Sequence, residues 1–383
     1  MEILFWAAVA TVAYSYVGYP LLLAAVGVVR RRRMSKSPIE PTVTIIIAAY
    51  NEERDIQRKL EMVLALDYPA DKREVIVTSD CSTDRTHEIV RGFAQRGVKL
   101  CVLPARGGKT AAQNMAVSQA TGEILVFTDA TTDLSPDVVR KLVQAFADPS
   151  VGCAGAELEY RSAGGTAVGK GGGLYWRYEK LVKALESRAN SLIGVSGCLY
   201  AVRRKLFVAI PPDLISDFVI ALDVFAAGHV TTYVPGAVVW EDTHEAADRE
   251  FNMRTRVIVR SIHALVQRSR VLNPLRTGLF ALQLWSHKVL RYLVPELLLL
   301  ALAMSVTLAL SDSPRAVFYQ VLVGLQLLTY IAVPVVYSVC RRLDVKTGML
   351  SAPFYFVHAN AAAFWALVRY LRGRREVTWT TVR

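Results

Sequence analysis

Residues Leu4 to Val29 run for 26 positions without a charged side chain. As a helix rising 1.5 Å per residue the run is about 39 Å long, enough to cross a bilayer with some tilt, and too long for the apolar stretch of a signal peptide. Arg30 to Arg33 come directly after it, so the positive-inside rule puts this end in the cytoplasm and the N-terminus outside. A 53% hydrophobic content argues against a wholly water-soluble chain. The 45 Lys and Arg exceed the 33 Asp and Glu by 12, and the surplus gathers beside apolar segments at Arg30 to Arg33, Arg341 with Arg342, and Arg369 to Arg375. That distribution points to anionic lipid as the partner and away from nucleic acid. Cys81, Cys101, Cys153, Cys198 and Cys340 lack CxxC spacing, so neither zinc nor a disulfide framework is indicated, and the polar part reads as cytosolic.

From Thr42 to about Arg270 β-rich runs alternate with amphipathic ones, the pattern of a parallel sheet built from βαβ units. Strands are expected at Val43 to Ala48, Glu74 to Ser79, Val98 to Leu103, Ile124 to Thr128 and Val151 to Leu158. Asp84 and Ser135 are positioned to start the helices that come after them. Leu293 to Leu310 and Val317 to Cys340 read as two further spans, which go out and return and leave Arg341, Arg342 and Lys346 inside. Pro353 to Tyr370 cannot also cross without stranding five arginines outside, so it reads as an amphipathic helix in the inner interface, with a fourth crossing as the alternative. Leu275 to Tyr292 reads as a second interfacial helix. The expected divisions are therefore 1–33 (span), 42–272 (α/β domain), 275–292 (interfacial), 293–340 (two spans), 349–372 (interfacial or fourth span) and 373–383 (tail).

In an open parallel sheet ligands bind at the carboxyl ends of the strands, which makes the polar strand tips informative. The first strand ends in Tyr50, Asn51, Glu52, Glu53, and the second in Asp80, Cys81, Ser82, Thr83, Asp84. Asp84 reads as a helix cap, whereas Asp80 has no such duty and could meet a nucleotide. The third connection, PARGGKT, offers close backbone approach and the point charge of Lys109 to a phosphate. A P-loop would need glycine at 103, where Leu103 stands. The fourth strand ends in Asp129, a carboxylate placed to hold a divalent cation, with a turn cap as the plain alternative. Gly164 to Gly173 comes after no clear strand and reads as a mobile loop over the acceptor. His229 and His263 read as ordinary surface or packing residues.

TIIIAAYNEE, DCSTD, GGKTAAQN and FTDATTDL, in that order, resemble the donor half of the family 2 inverting glycosyltransferases of GT-A fold. Within that family the chain is most similar to the membrane-embedded branch of hyaluronan, chitin and cellulose synthases. The resemblance implies an α/β GT-A domain with a mostly parallel sheet, plus transmembrane and interfacial helices. It implies that Ala49, Tyr50, Glu52, Asp80 and Ser82 meet the uridine of a UDP-sugar, Lys109 the diphosphate, and Asp129 a Mg²⁺ or Mn²⁺ ion. Where the family writes DxD, this chain has Asp129, Ala130, Thr131, so the metal site would be completed elsewhere, for instance by Asp133 or His244.

GVSGCLYAVRR resembles the family's acceptor loop, which brings in Gly197 and Cys198, and LISDFVIAL makes Asp217 the general base by the same resemblance, with Ser216 in place of the preceding acid. FNMRTRVIVRSIHAL is similar to the QxxRW segment and keeps Arg254, Arg256 and Arg260 but departs at Met253 and Val257; WTTVR, Trp379 to Arg383, resembles the synthases' gating segment. The activity that this resemblance implies is transfer of a sugar with inversion from a UDP-sugar to a lipid-linked or saccharide acceptor at the bacterial inner membrane, for surface polysaccharide or glycolipid assembly. The alternative is a processive synthase that extrudes its polymer, for which three spans suffice only if the chain oligomerises.

Overall fold

The computed structural model describes residues 1–30, 37–161, 167–242, 247–342 and 351–377. The uncharged run at the start is helical from Glu2 to Arg30 (α1), with a π-helical turn at Tyr14–Gly18. Next come β1 (Val43–Ala49), α2 (Ile56–Leu64), β2 (Arg73–Ser79), α3 (Thr86–Gly92), β3 (Val98–Val102), α4 (Gly108–Gln119) and β4 (Ile124–Asp129). This is the βαβ alternation expected from the sequence. The chain continues through β5 (Asp133–Leu134), α5 (Val138–Val143), β6 (Val151–Arg161), α6 (Ala167–Ala189), β7 (Leu199–Arg203), α7 (Ser216–Ala226) and β8 (Val230–Asp242). Among the described residues the longer helices that follow are α8 (Ala247–Gln267), α9 (Leu279–Ala309), α10 (Ala316–Cys340) and α11 (Ser351–Leu371).

All eight strands join one sheet in the order β3-β2-β1-β4-β7-β6-β8-β5. Every residue of β1 is buried because helices cover both faces of the sheet, which is why VTIIIAA reads as a continuous apolar run instead of an alternating one. Ile45 and Ile47 pack with α2 and α5 on one face, while Ile46 packs with α4 and α7 on the other. Each of these side chains, 1% exposed or less, contributes roughly 2 kcal/mol relative to exposure.

The sheet is not parallel throughout, because β7 pairs antiparallel with both β4 and β6. That reversal matters for the site: Leu199, at the start of β7, lies opposite Thr128, at the end of β4. Strands β7 and β8 are additional to those expected from the sequence: β8 is β-rich in VTTYV and AVVW but is split by Pro235 and Gly236, and β5 is too short to leave a pattern.

The domain core runs into the apolar helices. Phe280 and Leu284 of α9 belong to the same buried cluster as α4 and α7, and the Phe225 and Phe280 rings stack 3.8 Å apart. Tyr19 and Leu23 of α1 pack on Val182 and Ala189 of α6, while Phe5, Ala301 and Tyr319 join α1, α9 and α10. Among the described residues three helices are long and apolar enough to cross a membrane: α1, α9 and α10. The helix α11 is not among them and packs on α6, α8 and α9.

Two expectations change. The segment 275–292 is not one separate helix: Pro274–Thr277 is a single turn, and from Leu279 the chain continues helically to Ala309 through a π turn at Trp285–Val289. The apolar segment therefore starts 14 residues before Leu293. The glycine-rich stretch expected as a loop is helical from Ala167 onward. Gly164 and Gly165 lie outside the described residues; from Ala167 the glycines open a helix that continues to Ala189, and that propagation outweighs their low intrinsic propensity.

Candidate active site

The tips of β1 and β2 turn sharply. Asn51 and Cys81 have φ of 55° and 59°, left-handed conformations that cost a non-glycine residue about 1 kcal/mol each. Cross-links hold them: the Asn51 N–H donates to Ser82 Oγ (3.0 Å), the Thr83 N–H to Asn51 Oδ1 (2.8 Å), and the Glu52 N–H to Thr86 Oγ (2.9 Å). Asp84 accepts the N–H groups of Thr86 and Glu53, in keeping with its reading as a cap. Ala49 closes β1 by accepting the Asp80 N–H at 2.9 Å, and the Arg106 guanidinium lies 3.7 Å from the Tyr50 ring centroid.

Asp80 does have a structural duty, contrary to the sequence reading. It is fully buried, and its Oδ1 accepts the N–H groups of Gly107 and Gly108 at 2.7 and 3.1 Å. Those bonds fix the turn that delivers Lys109, a turn that needs glycine at 108, where φ is +84°.

Lys109 pairs with Asp129 and donates to the Gly197 carbonyl at 3.3 Å. Asp217, the second residue of α7, where the helix N-terminus favours an anion, also faces the Cα of Gly197. Burial lifts the Asp217 carboxyl above its ordinary value, against the pull of Lys109, Lys288 and Arg260, which strengthens it as a base. Lys109 stays above its ordinary value because Asp129 and Asp217 outweigh its burial.

Below this pair Lys59, 1% exposed, donates to Thr128 Oγ (2.9 Å) and to the carbonyl (2.7 Å) and hydroxyl (3.0 Å) of Thr132. Burial pulls its ammonium down to about 7. The lysine shapes the turn that presents Asp129. Its signal was present in the sequence: Ile56, Lys59, Leu60 and Val63 form an i, i+3, i+4, i+7 stripe in which the lysine sits at an apolar position.

These groups open into one cavity of about 1100 Å³, which Glu52, Lys109, Asp129, Gly197, Cys198 and Asp217 line together. Asp80 and Ser82 are not on its wall and support it from behind. Glu241, at the end of β8, lines the same cavity and accepts from Cys198 Sγ at 3.2 Å. Burial, reinforced by Asp129, raises its carboxyl to about 7. Recognising β8 would have flagged Glu241 as an acid at a strand end.

Asp133 does not suit a metal, since Arg58 and Arg161 both hold it. His244, Trp379 and Arg383 lie outside the described residues.

The three arginines of α8 divide. Arg254 pairs with Glu250 and lies 4.9 Å from the Tyr175 and Tyr355 rings. Arg260 donates to Thr110 Oγ at 2.9 Å and to the Pro212 and Leu214 carbonyls, and burial pushes it down to about 10. Arg256 lines the cavity and makes no ion pair or hydrogen bond among the described residues.

A curled, mostly parallel sheet with helices on both faces and a lysine–carboxylate pair at the strand tips defines a GT-A-like α/β fold. Residues 44–210 match the family model Glycosyl transferase family 2, and the chain carries a glycosyl transferase family 2 domain. Among curated proteins, a beta-monoglucosyldiacylglycerol synthase of Synechocystis sp. is 37% identical over 116 residues, 29% of this chain and 24% of that protein. An N-acetylglucosaminyltransferase of Rhizobium meliloti is 29% identical over 227 residues, covering 54% of this chain and 53% of its own length. These matches thus span between a quarter and about half of the relatives' lengths. Among solved structures, the mannosyltransferase PcManGT from Pyrobaculum calidifontis, in complex with GDP-Man and Mn²⁺, aligns over 97% of this chain and all of that one, with a TM-score of 0.72 and 25% identity.

Proposed function

We propose that this chain is a membrane-anchored inverting glycosyltransferase that moves a sugar from a nucleoside-diphospho-sugar to an acceptor at the membrane. The observation that carries the reading is the convergence of the Lys109–Asp129 pair and the Asp217 carboxylate on Gly197 within one cavity. The acceptor hydroxyl attacks the anomeric carbon as the bond from that carbon to the diphosphate oxygen breaks. Asp217 takes the hydroxyl proton, and the nucleoside diphosphate leaves with the bonding electrons, its charge met by Lys109. One displacement inverts the anomeric configuration.

Asp129 and Glu241 bring two hard carboxylates to the cavity; no group of three or more metal-ligating side chains occurs among the described residues, so a Mg²⁺ or Mn²⁺ ion held by these two would take its other oxygens from substrate phosphates and water. Such an ion would neutralise charge on the leaving diphosphate. The α1, α9 and α10 helices anchor the domain with its active site on the cytoplasmic side, where Arg30 to Arg33 favour it. UDP-sugars are the donor class to test first, on the resemblance of the β1 and β2 tips, and GDP-mannose the second, because GDP-Man is bound in PcManGT.

The test is nucleoside diphosphate release across UDP- and GDP-sugars in membranes containing the full chain, with and without EDTA. Asp217→Asn should cut transfer by roughly 1,000-fold or more while nucleotide still binds. Undiminished transfer by that variant, or no release from any donor, overturns the reading.

A further inference from the structure

The wall of the cavity formed by α6 and α9 is crowded with buried charge. Its carboxylates are already engaged: Glu186 accepts from Tyr19 and contacts His287 Nδ1, both at 2.6 Å, and Glu179 holds Arg291 and lies 3.3 Å from His287 Nε2. The cations of the same wall outnumber them. Lys183 of α6 and Lys288 of α9 both line the cavity, and neither makes an ion pair or hydrogen bond among the described residues. Lys288 Nζ lies only 5.2 Å from the ring centroid of Phe218, the residue after Asp217. Lys288 therefore stands near the proposed base, and Lys183 lines the same cavity close enough to feel the charges of Lys288 and Asp217.

Unpaired charges on a poorly solvated wall are costly unless a ligand pairs with them. Burial, with Lys288 acting in the same direction, pulls the Lys183 ammonium below its ordinary value against the influence of Glu179. Lys288 also sits in the π-helical turn Trp285–Val289, a local widening that proteins often place at functional sites. The same cavity is lined by Tyr16 of α1 and Tyr292 of α9, both on helices apolar enough to enter a bilayer.

The geometry points to Lys183 and Lys288 as a clamp for a phosphate group on the acceptor, which makes the acceptor a phosphate-bearing lipid in preference to a neutral glycolipid. This inference rests on the function proposed above for the cavity, with the phosphate held beside Asp217 and the lipid tail directed toward α1 and α9.

The test measures binding of dodecyl phosphate to the full chain in a neutral detergent, apart from any turnover. Lys183→Met with Lys288→Met should weaken binding by about tenfold or more, and the paired Lys→Arg changes should restore it to within about threefold. An unchanged melting temperature establishes that the variants are folded. Inorganic phosphate should bind far more weakly than dodecyl phosphate; equal affinity would overturn the lipid assignment, and unchanged dodecyl phosphate binding without both lysines would overturn the clamp. Should the chain release no nucleotide from any donor, the proposed function fails while this binding result still stands by itself.

Discussion

A methyl group added at the Cα of Gly197 would stand 2.6 Å from Asp217 Oδ2 and 3.6 Å from Lys109 Nζ. The missing side chain at 197 is what lets Asp217 and Lys109 approach the same point of the chain, where the proposed function puts the sugar and its leaving diphosphate. Gly197→Ala should displace the Asp217 carboxylate and lower the transfer rate by roughly 100-fold. The melting temperature should move by only a few degrees, because the collision is with the end of one side chain. Transfer within twofold of the parent enzyme would refute this role for the glycine.

Glu241 makes a pH-dependent contribution to stability. Its carboxyl is raised from 4.5 to about 7 in the folded chain, so the native state holds this proton more tightly than the unfolded state does. The associated stability is complete below about pH 4.5 and is lost as pH rises through about 7. In Glu241→Gln the group no longer titrates. The melting temperature of the variant in EDTA should therefore gain on that of the parent between pH 5 and 7.5, and a difference that stays flat over this window would sink the assignment.

Glu179 ties α6 to the apolar helix α9 through Arg291 and His287. Replacing it by Gln leaves a buried guanidinium without its carboxylate, which costs about 3 kcal/mol. Thermal unfolding of the full chain in detergent should register a clear drop. An unaltered transition would mean that the apolar contact of Phe225 with Phe280 is enough to hold the domain to that helix.

Much of the donor side was legible because its signals are local. Strands β1, β2 and β4 centre on short apolar runs that stop at polar residues; Asp129 ends the last of them, and Lys109 begins the helix after β3. Asp129 and Asp217 share the cavity as the motifs implied, but Asp80 lies behind its wall, bonded to backbone. The acceptor side was less legible. Strand β8 is interrupted by Pro235 and Gly236, which hid both the strand and Glu241 at its end. Nothing in the local pattern of α6 or α9 separates Lys183 and Lys288 from lysines that face solvent.

The sequence by itself determined the three long apolar helices, the βα alternation of the first half and the chemistry at its strand tips, since all of these depend on neighbours a few residues apart. Only the tertiary structure decided that β7 runs antiparallel beside β4, that Lys109 and Asp217 both approach Gly197, and that the charges of α6 meet those of α9. These contacts join residues from about 20 to more than 100 positions apart, and burial, which sets their energies, is a property of the packed chain that no local periodicity encodes.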